Sequence, residues 1–251
     1  MQRVLITAGA TGIGREFARA FAATGAEVFT CDIDAAALDA LRDEIPGLRT
    51  TVCDMASRAQ IERMVPEAIK ALGGLDVLIN NAGIAGPTAP TDAMPPDEWD
   101  KVLAVNITGM FDVTRLAIPA LKQSEAGCII NMSSIAGRLG FVNRSPYAAS
   151  KWAVIGFTKT LALELGGNGI RANAILPGAV AGERIERVFA GRARIANKSL
   201  NDVRADAMAN QSIKQMVDPA DIAQLAVFLA SPAAKAISGQ AIPIDNDRQK
   251  S

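Results

Sequence analysis

The chain has 251 residues, 49% of them apolar, enough for a real core in one large α/β domain or two small ones. Lysine plus arginine and aspartate plus glutamate both number 26, and a neutral chain has no field to hold a polyanion, which argues against nucleic-acid and membrane-surface partners. Cys31, Cys53 and Cys128 fall in apolar strand-like runs and read as buried free thiols of a reducing compartment. The first strand begins at Arg3, leaving no room for a signal peptide. No apolar run is expected to reach the length of a bilayer span, so a soluble cytoplasmic protein is expected.

Taken in order, RVLIT (3–7) leads into a helix from about Gly12. EVFTCD (27–32) leads into DAAALDALRDEI (34–45), and LRTTVC (48–53) into SRAQIERMVPEAIKAL (57–72). LDVLIN (75–80) precedes one long helix from about Pro96 to Lys122. CIINMS (128–133) precedes a helix that Ser145 caps, Pro146 opens and Gly166-Gly167 closes in a left-handed turn. IRANAIL (170–176) and QAIPID (240–245) are the sixth and seventh strand-like runs, and Asp218-Pro219 starts the last helix. Near-continuous apolar strands alternating with helices imply an α/β fold: a doubly wound domain with a seven-stranded parallel sheet covered on both faces. No linker or repeat divides residues 1–251. The least regular segment is 179–217.

The first strand runs into TAGATGIG (7–14), which opens a helix. Glycines let a backbone approach a pyrophosphate, and a helix N-terminus offers it free N–H groups. A tight strand-to-helix turn needs such glycines too. Asp32 adds context, because a carboxylate ending the second strand can accept the ribose hydroxyls of NAD and repel the extra phosphate of NADP. No Lys or Arg occupies position 11, 31 or 33 to attract that phosphate. Capping the helix after Asp34 is the plainer role for Asp32.

Tyr147 is the only tyrosine in a chain without histidine, and Lys151 lies four residues on, one helical turn away. A free phenol, with a pKa near ~10, is a poor base at neutral pH, and a nearby ammonium lowers that value. A tuned phenol can exchange a proton with a hydroxyl or carbonyl oxygen. The spacing alone also fits a half-buried tyrosine beside a surface lysine.

YAASK (147–151) resembles the YxxxK motif of the short-chain dehydrogenase/reductase family. TAGATGIG resembles its TGxxxGxG cofactor loop, and NNAG (80–83) its motif after the fourth strand. Asn106 in VNITG resembles its catalytic asparagine, and Ser134 stands thirteen residues before Tyr147, as its catalytic serine does. PG (177–178) and SGQAIPID extend the similarity over about residues 3–245. The resemblance implies an NAD(P)-binding Rossmann domain with Tyr147 as general acid/base and Ser134 bonded to the substrate oxygen. Lys151 would lower the tyrosine pKa and hold the nicotinamide ribose, and Asn106 would position the lysine through a water. It further implies cofactor contacts from Gly9, Thr11, Gly12, Ile13, Gly14, Asp32, Ile33, Asp54, Met55, Asn81, Ala82, Gly83, Pro177, Gly178 and Val180, and no metal. Hydride passes between the substrate carbon and the nicotinamide.

Three departures stand out. Ala8 replaces the family's first motif glycine, tolerable where φ is negative. The run PGAVAGER lacks the threonine that often follows the PG turn, so backbone near Val180 must serve. The tail IDNDRQKS replaces a DGG-like ending.

By resemblance the substrate, a small alcohol, ketone or aldehyde, is walled by the 84–95 loop, by Ile135 to Arg144 and by a lid at about 179–217. Within the lid Arg184, Arg187, Arg192, Arg194, Lys198 and Arg204 fit either an anion-binding cover or an amphipathic helix with a solvated face. The interleaved Glu183, Glu186, Asp202 and Asp206 favour the second. Helices around 96–122 and 146–165 resemble those by which the family forms dimers and tetramers, a homotetramer being favoured. Phe111, Leu116, Trp152, Phe157 and Leu161 equally suit packing inside the monomer. The leading reading is an NAD-dependent alcohol dehydrogenase or carbonyl reductase. An NADPH-dependent 3-oxoacyl reductase and a non-catalytic dinucleotide sensor are the alternatives.

Overall fold

The computed structural model describes residues 1–249. Its strands are β1 (Arg3–Thr7), β2 (Glu27–Asp32), β3 (Arg49–Val52), β4 (Val77–Asn80), β5 (Cys128–Met132), β6 (Arg171–Pro177) and β7 (Ala241–Ile244). They form one parallel sheet in the order β3-β2-β1-β4-β5-β6-β7. The order reverses between β1 and β4, and α/β sheets bind ligands in the crevice that opens there, beyond the carboxyl ends of the strands.

Because successive strand residues face opposite sides, each strand feeds two cores. Val4, Ile6, Val77, Ile79 and Ile130 pack against Phe17 and Phe21 of α1 (Gly12–Ala23) and Ile222, Ala226 and Leu229 of α9 (Pro219–Ala230). On the other side Leu5, Phe29, Leu78 and Ile129 meet α3 (Arg58–Leu72), α5 (Gly109–Leu121) and α6 (Ser145–Leu165). The short α2 (Ala35–Glu44) follows β2 and is capped by Asp34, whose carboxylate accepts Ala37 N at 3.0 Å. Cys31, Cys53 and Cys128 are buried free thiols.

Several local expectations change. The helix expected from Pro96 to Lys122 is α4 (Pro96–Leu103), a π-helical turn over Ala104–Thr108, then α5. Pro96–Leu121 thus makes 26 continuous helical residues, long and apolar enough for a bilayer span, which no run was expected to be. It also buries Asp112, whose carboxylate accepts Arg58 Nε at 2.9 Å and Arg115 Nε at 3.0 Å. Burial opposes ionisation of that group, but the two guanidiniums hold its pKa below the ordinary value.

Ser145 does not cap α6. It lies inside the first turn, Arg144 takes the cap position, and the Ser145 hydroxyl is buried without a hydrogen-bond partner. The proline at the start of the helix fixes the entry by its φ alone. Nor does Gly166-Gly167 supply the left-handed stop. A 3-10 turn covers Gly166–Asn168, and the left-handed residue is Gly169, at φ 73°. Segment 179–217 is more regular than expected, holding α7 (Glu183–Ala196) and α8 (Leu200–Ala209) around a small core of Phe189, Val203 and Ala207.

Candidate active site

The expected site residues converge on the carboxyl end of the sheet around the β1/β4 crevice. At the start of α1, Thr11 gives no side-chain cap, so the first N–H groups of the helix stay available to an anion. Gly12 has φ 53° with open space where a side chain would stand, and a Cβ on Gly14 would fall 2.0 Å from Ala8 O. The loop is therefore a cradle whose floor admits no side chain, which fits a pyrophosphate. Ala8 itself has φ 53°, contrary to the negative φ that would make its methyl harmless, so the loop holds a left-handed alanine. Asn81 Nδ2 binds the carbonyls of Ala8 at 2.8 Å and Thr7 at 3.2 Å, and Thr7 Oγ1 accepts the N–H groups of Asn81 and Ala82, each at 3.0 Å. These bonds pin the turn from the β4 side.

Asp32 ends β2 with its carboxylate accepting Ala10 N at 3.0 Å and Asp34 N at 3.2 Å. The cap of α2 is Asp34, so Asp32 is left to organise the mouth of the glycine-rich loop between β1 and α1. Ile33 beside it is largely exposed. Asp54 accepts Ala56 N at 2.8 Å, and Met55 is buried beneath. At the end of β6 Pro177 is buried, and just after it Gly178 N donates to Ile244 O at 3.0 Å. Val217 takes up Ala179 O and Ala181 N, which leaves the N–H and C=O of Val180 without partners among the described residues.

Lys151 is 3% exposed, and its Nζ donates to Met132 O at 2.8 Å and lies 5.8 Å from the Tyr147 ring centre. Burial disfavours its charge and lowers its pKa to about 8, the phenol opposing that shift. At Tyr147, which stays partly exposed, burial pushes the pKa up. Arg184, Lys151, the Ser134 hydroxyl and Arg144 together outweigh burial and hold the phenol below its ordinary value. Ser134 caps the short turn Ile135–Gly137, its hydroxyl accepting Ala136 N at 3.1 Å. Asn106 sits fully buried in the π turn. Its Oδ1 accepts Ile84 N at 2.7 Å, and its Nδ2 donates to Ile84 O and Ser150 Oγ, both at 3.0 Å. Gly83 backs onto Lys151 Nζ and Asn106 Oδ1.

A buried lysine beside a lowered phenol, with a serine hydroxyl at hand, can move a proton onto or off a carbinol oxygen at neutral pH.

The family model described as enoyl-(acyl carrier protein) reductase matches residues 7–246. The chain belongs to the short-chain dehydrogenase/reductase family. A D-beta-hydroxybutyrate dehydrogenase of Cupriavidus necator is 38% identical, with 94% of this chain and 93% of that protein covered. A 3-oxoacyl-(acyl-carrier-protein) reductase of Thermotoga maritima is 36% identical, covering 96% and 95%. Among solved structures, an actinorhodin polyketide ketoreductase with NADPH superposes with a TM-score of 0.93 at 32% identity, over 98% of this chain and 96% of that one. NAD+-bound xylitol dehydrogenase gives 0.93 at 28%, over 98% of each. Members of the family are oxidoreductases that pass hydride between a nicotinamide cofactor and an alcohol or carbonyl substrate, and this chain is one of them.

Sequence reasoning missed the tail. Residues 245–249 fold back so that Ser212 N donates to Asn246 O at 3.0 Å and Gln249 N to Asn210 O at 2.9 Å. This carries Arg248 beside the Phe141 ring, 5.9 Å from its centre. The only signal was NDR where the family commonly has a DGG-like ending. Of the lid cations, Arg187, Lys198 and Arg204 pair with Glu183, Asp206 and Glu186, as a solvated face would. Arg184 and Arg192 turn inward instead, onto Tyr147 and Phe141.

Proposed function

We propose that the chain is an NAD-dependent dehydrogenase of an alcohol, or the reductase of the matching ketone or aldehyde. Tyr147 exchanges the proton with the substrate oxygen, and Ser134 donates a hydrogen bond to that oxygen. Lys151 keeps the phenol acidic and binds the nicotinamide ribose. Asn106 holds the Ile84 backbone and Ser150 around the lysine. The observation that carries this reading is the fully buried Lys151 one turn from a phenol whose pKa is held below its ordinary value. When bound, the nicotinamide supplies the hydride acceptor or donor. Gly9, Thr11, Gly12, Ile13 and Gly14 cradle its pyrophosphate, with Asp32 and Ile33 at one ribose, Asp54 and Met55 near the adenine, and Asn81, Ala82, Gly83, Pro177, Gly178 and Val180 along the cleft.

Preference for NAD rests on Asp32, which two backbone N–H groups fix at the loop mouth with no cation at 11, 31 or 33. An anion there favours ribose hydroxyls and repels a phosphate. In this reading residues 1–251 act as one Rossmann domain with 179–217 as its lid, in a reducing cytoplasm. A homotetramer, favoured over a dimer, covers the exposed Phe111 and Trp152. The likeness to a 3-oxoacyl reductase supports a second reading, an NADPH-dependent reductase, which Asp32 opposes.

Initial rates with NAD and NADP on a panel of aryl alcohols, polyols, sugars and hydroxy acids test the reading. We expect kcat/KM to favour NAD by about 100-fold and Asp32→Ala to erase most of that margin. A preference for NADP would overturn the cofactor assignment and leave the 3-oxoacyl reductase standing.

A further inference from the structure

Four arginines crowd the mouth of the site, and among the described residues none forms a salt bridge. Arg144 and Arg184 flank the Tyr147 ring at 5.0 and 5.8 Å from its centre, and Arg192 and Arg248 flank the Phe141 ring at 5.5 and 5.9 Å. Arg144 is 4% exposed. It spends one Nη2 bond on Ala85 O at 2.9 Å, and its Nε has no partner at all. The Nε of Arg248 is likewise orphaned, though its Nη1 holds Ala207 O at 2.9 Å. The acids nearby do not neutralise the group. Asp245 acts only on Arg248, and Asp206, which lines a cleft with Arg192 and Arg248, is engaged by Lys198 at 2.7 Å.

Elsewhere the chain pairs its arginines readily, including the partly buried Arg3 with Asp76. Here, at the reacting phenol, it gathers mutually repelling cations from three separate segments: the loop before α6, the lid helix α7 and the tail. Burial, Arg144 and Arg248 bring the Arg192 pKa down to about 10, and burial and Arg184 lower that of Arg144. Burying a charge without a partner is costly, as at Arg144 and, half-buried, at Arg192 and Arg248, and an anion relieves that cost as well as the repulsion from the exposed Arg184. The cluster stands over Tyr147 and Phe141.

We infer that the substrate is an anionic hydroxy compound or its keto form, whose carboxylate, sulfonate or phosphate is held by Arg144 and Arg192, with Arg184 and Arg248 closing around it. This rests on the dehydrogenase reading and names its substrate class. The guanidinium forks offer paired N–H donors suited to the two or three oxygens of such a group. Arg144 already touches the 84–95 loop, so the anion and the carbinol oxygen at Tyr147 would be bound by adjoining walls.

The test uses matched pairs differing in one charge: 3-hydroxybutyrate and its methyl ester, glycerol 3-phosphate and glycerol, and 2,3-dihydroxypropane-1-sulfonate and 1,2-propanediol. Rates are read with NAD and with NADP. We expect kcat/KM for at least one anion to exceed that for its neutral partner by about 100-fold. In Arg192→Gln that ratio should collapse mainly through KM, while Arg192→Lys recovers part of it and the Kd for NADH, read by fluorescence, stays put. Which pair responds identifies the oxyanion. Neutral members turned over as well as the anions would overturn the inference, as would variants that slow both members alike or weaken NADH instead. Should nothing turn over, thermal shifts of the NADH-loaded protein with the anionic members still decide. Stabilisation by an anion that Arg192→Gln abolishes keeps the anion site while the dehydrogenase reading fails, and no preference for anions ends the inference.

Discussion

The floor of the site and its roof are built on different physical principles. The floor is the sheet edge with α6, the π turn and the β4 loop. Lys151, Asn106 and Ser133 are buried there and bonded to Met132 O, Ile84, Ser150 and Lys151 O, all anchored on two large apolar cores. The roof is the α7–α8 hairpin, with three buried apolar side chains of its own and mostly surface ion pairs. Proton transfer tolerates little misplacement, and the groups proposed for it sit where packing fixes them. In the proposed reading substrate choice rests on an element the cores do not constrain, from which Arg192 faces Phe141 and Arg184 also reaches the Tyr147 ring and lowers the phenol pKa.

The comparison predicts effects of very different size. Tyr147→Phe should lower kcat by about a thousandfold or more while NADH still binds, because only the exchanging proton is lost. Binding is read by NADH fluorescence, and an active Tyr147→Phe enzyme would remove the phenol from the mechanism.

In the cores, Phe17→Ala should cost about 3–5 kcal/mol of global stability, whereas Phe189→Ala in the roof should leave the denaturant midpoint nearly unmoved and raise the substrate KM. Equal midpoint losses would mean that roof and floor unfold as one body.

Lys151→Met tests the electrostatics. In the proposed mechanism the phenolate is the base for alcohol oxidation, so kcat/KM should rise with pH through the lowered Tyr147 pKa. Removing the ammonium takes away one cause of the lowering, so the acid limb should move to higher pH, with Arg184 and Arg144 limiting the displacement. An unmoved limb would assign the lowering to the arginines and the Ser134 hydroxyl.

Ala8→Gly should give the smallest change, stabilising by no more than about 1 kcal/mol as the left-handed alanine is relieved. A thermal melt reads it.

Much of the site could be read from residue order, because its motifs are local. TAGATGIG needs only a strand, a turn and a helix start to make its cradle, and YAASK needs only one helical turn. Asp32 was legible for the same reason, as the last residue of an apolar strand. What failed were features set by distant partners. The serine expected to cap α6 is displaced by Arg144, which the Ala85 carbonyl holds. The long helix carries a π turn where Asn106 reaches across to Ile84. The lid arginines divide into paired and inward-facing sets only once α7 lies against Tyr147 and Phe141.

By itself the sequence determined the parallel sheet, the glycine-rich turn after β1 and the placing of Tyr147 and Lys151 on one helical turn, since hydrophobic period and motif spacing act within one or two elements. Only the tertiary structure decided that Arg144, Arg184, Arg192 and Arg248 share one place. They come from segments up to about a hundred residues apart, and no local pattern encodes where the folded-back tail and the roof will meet the helix that bears the phenol.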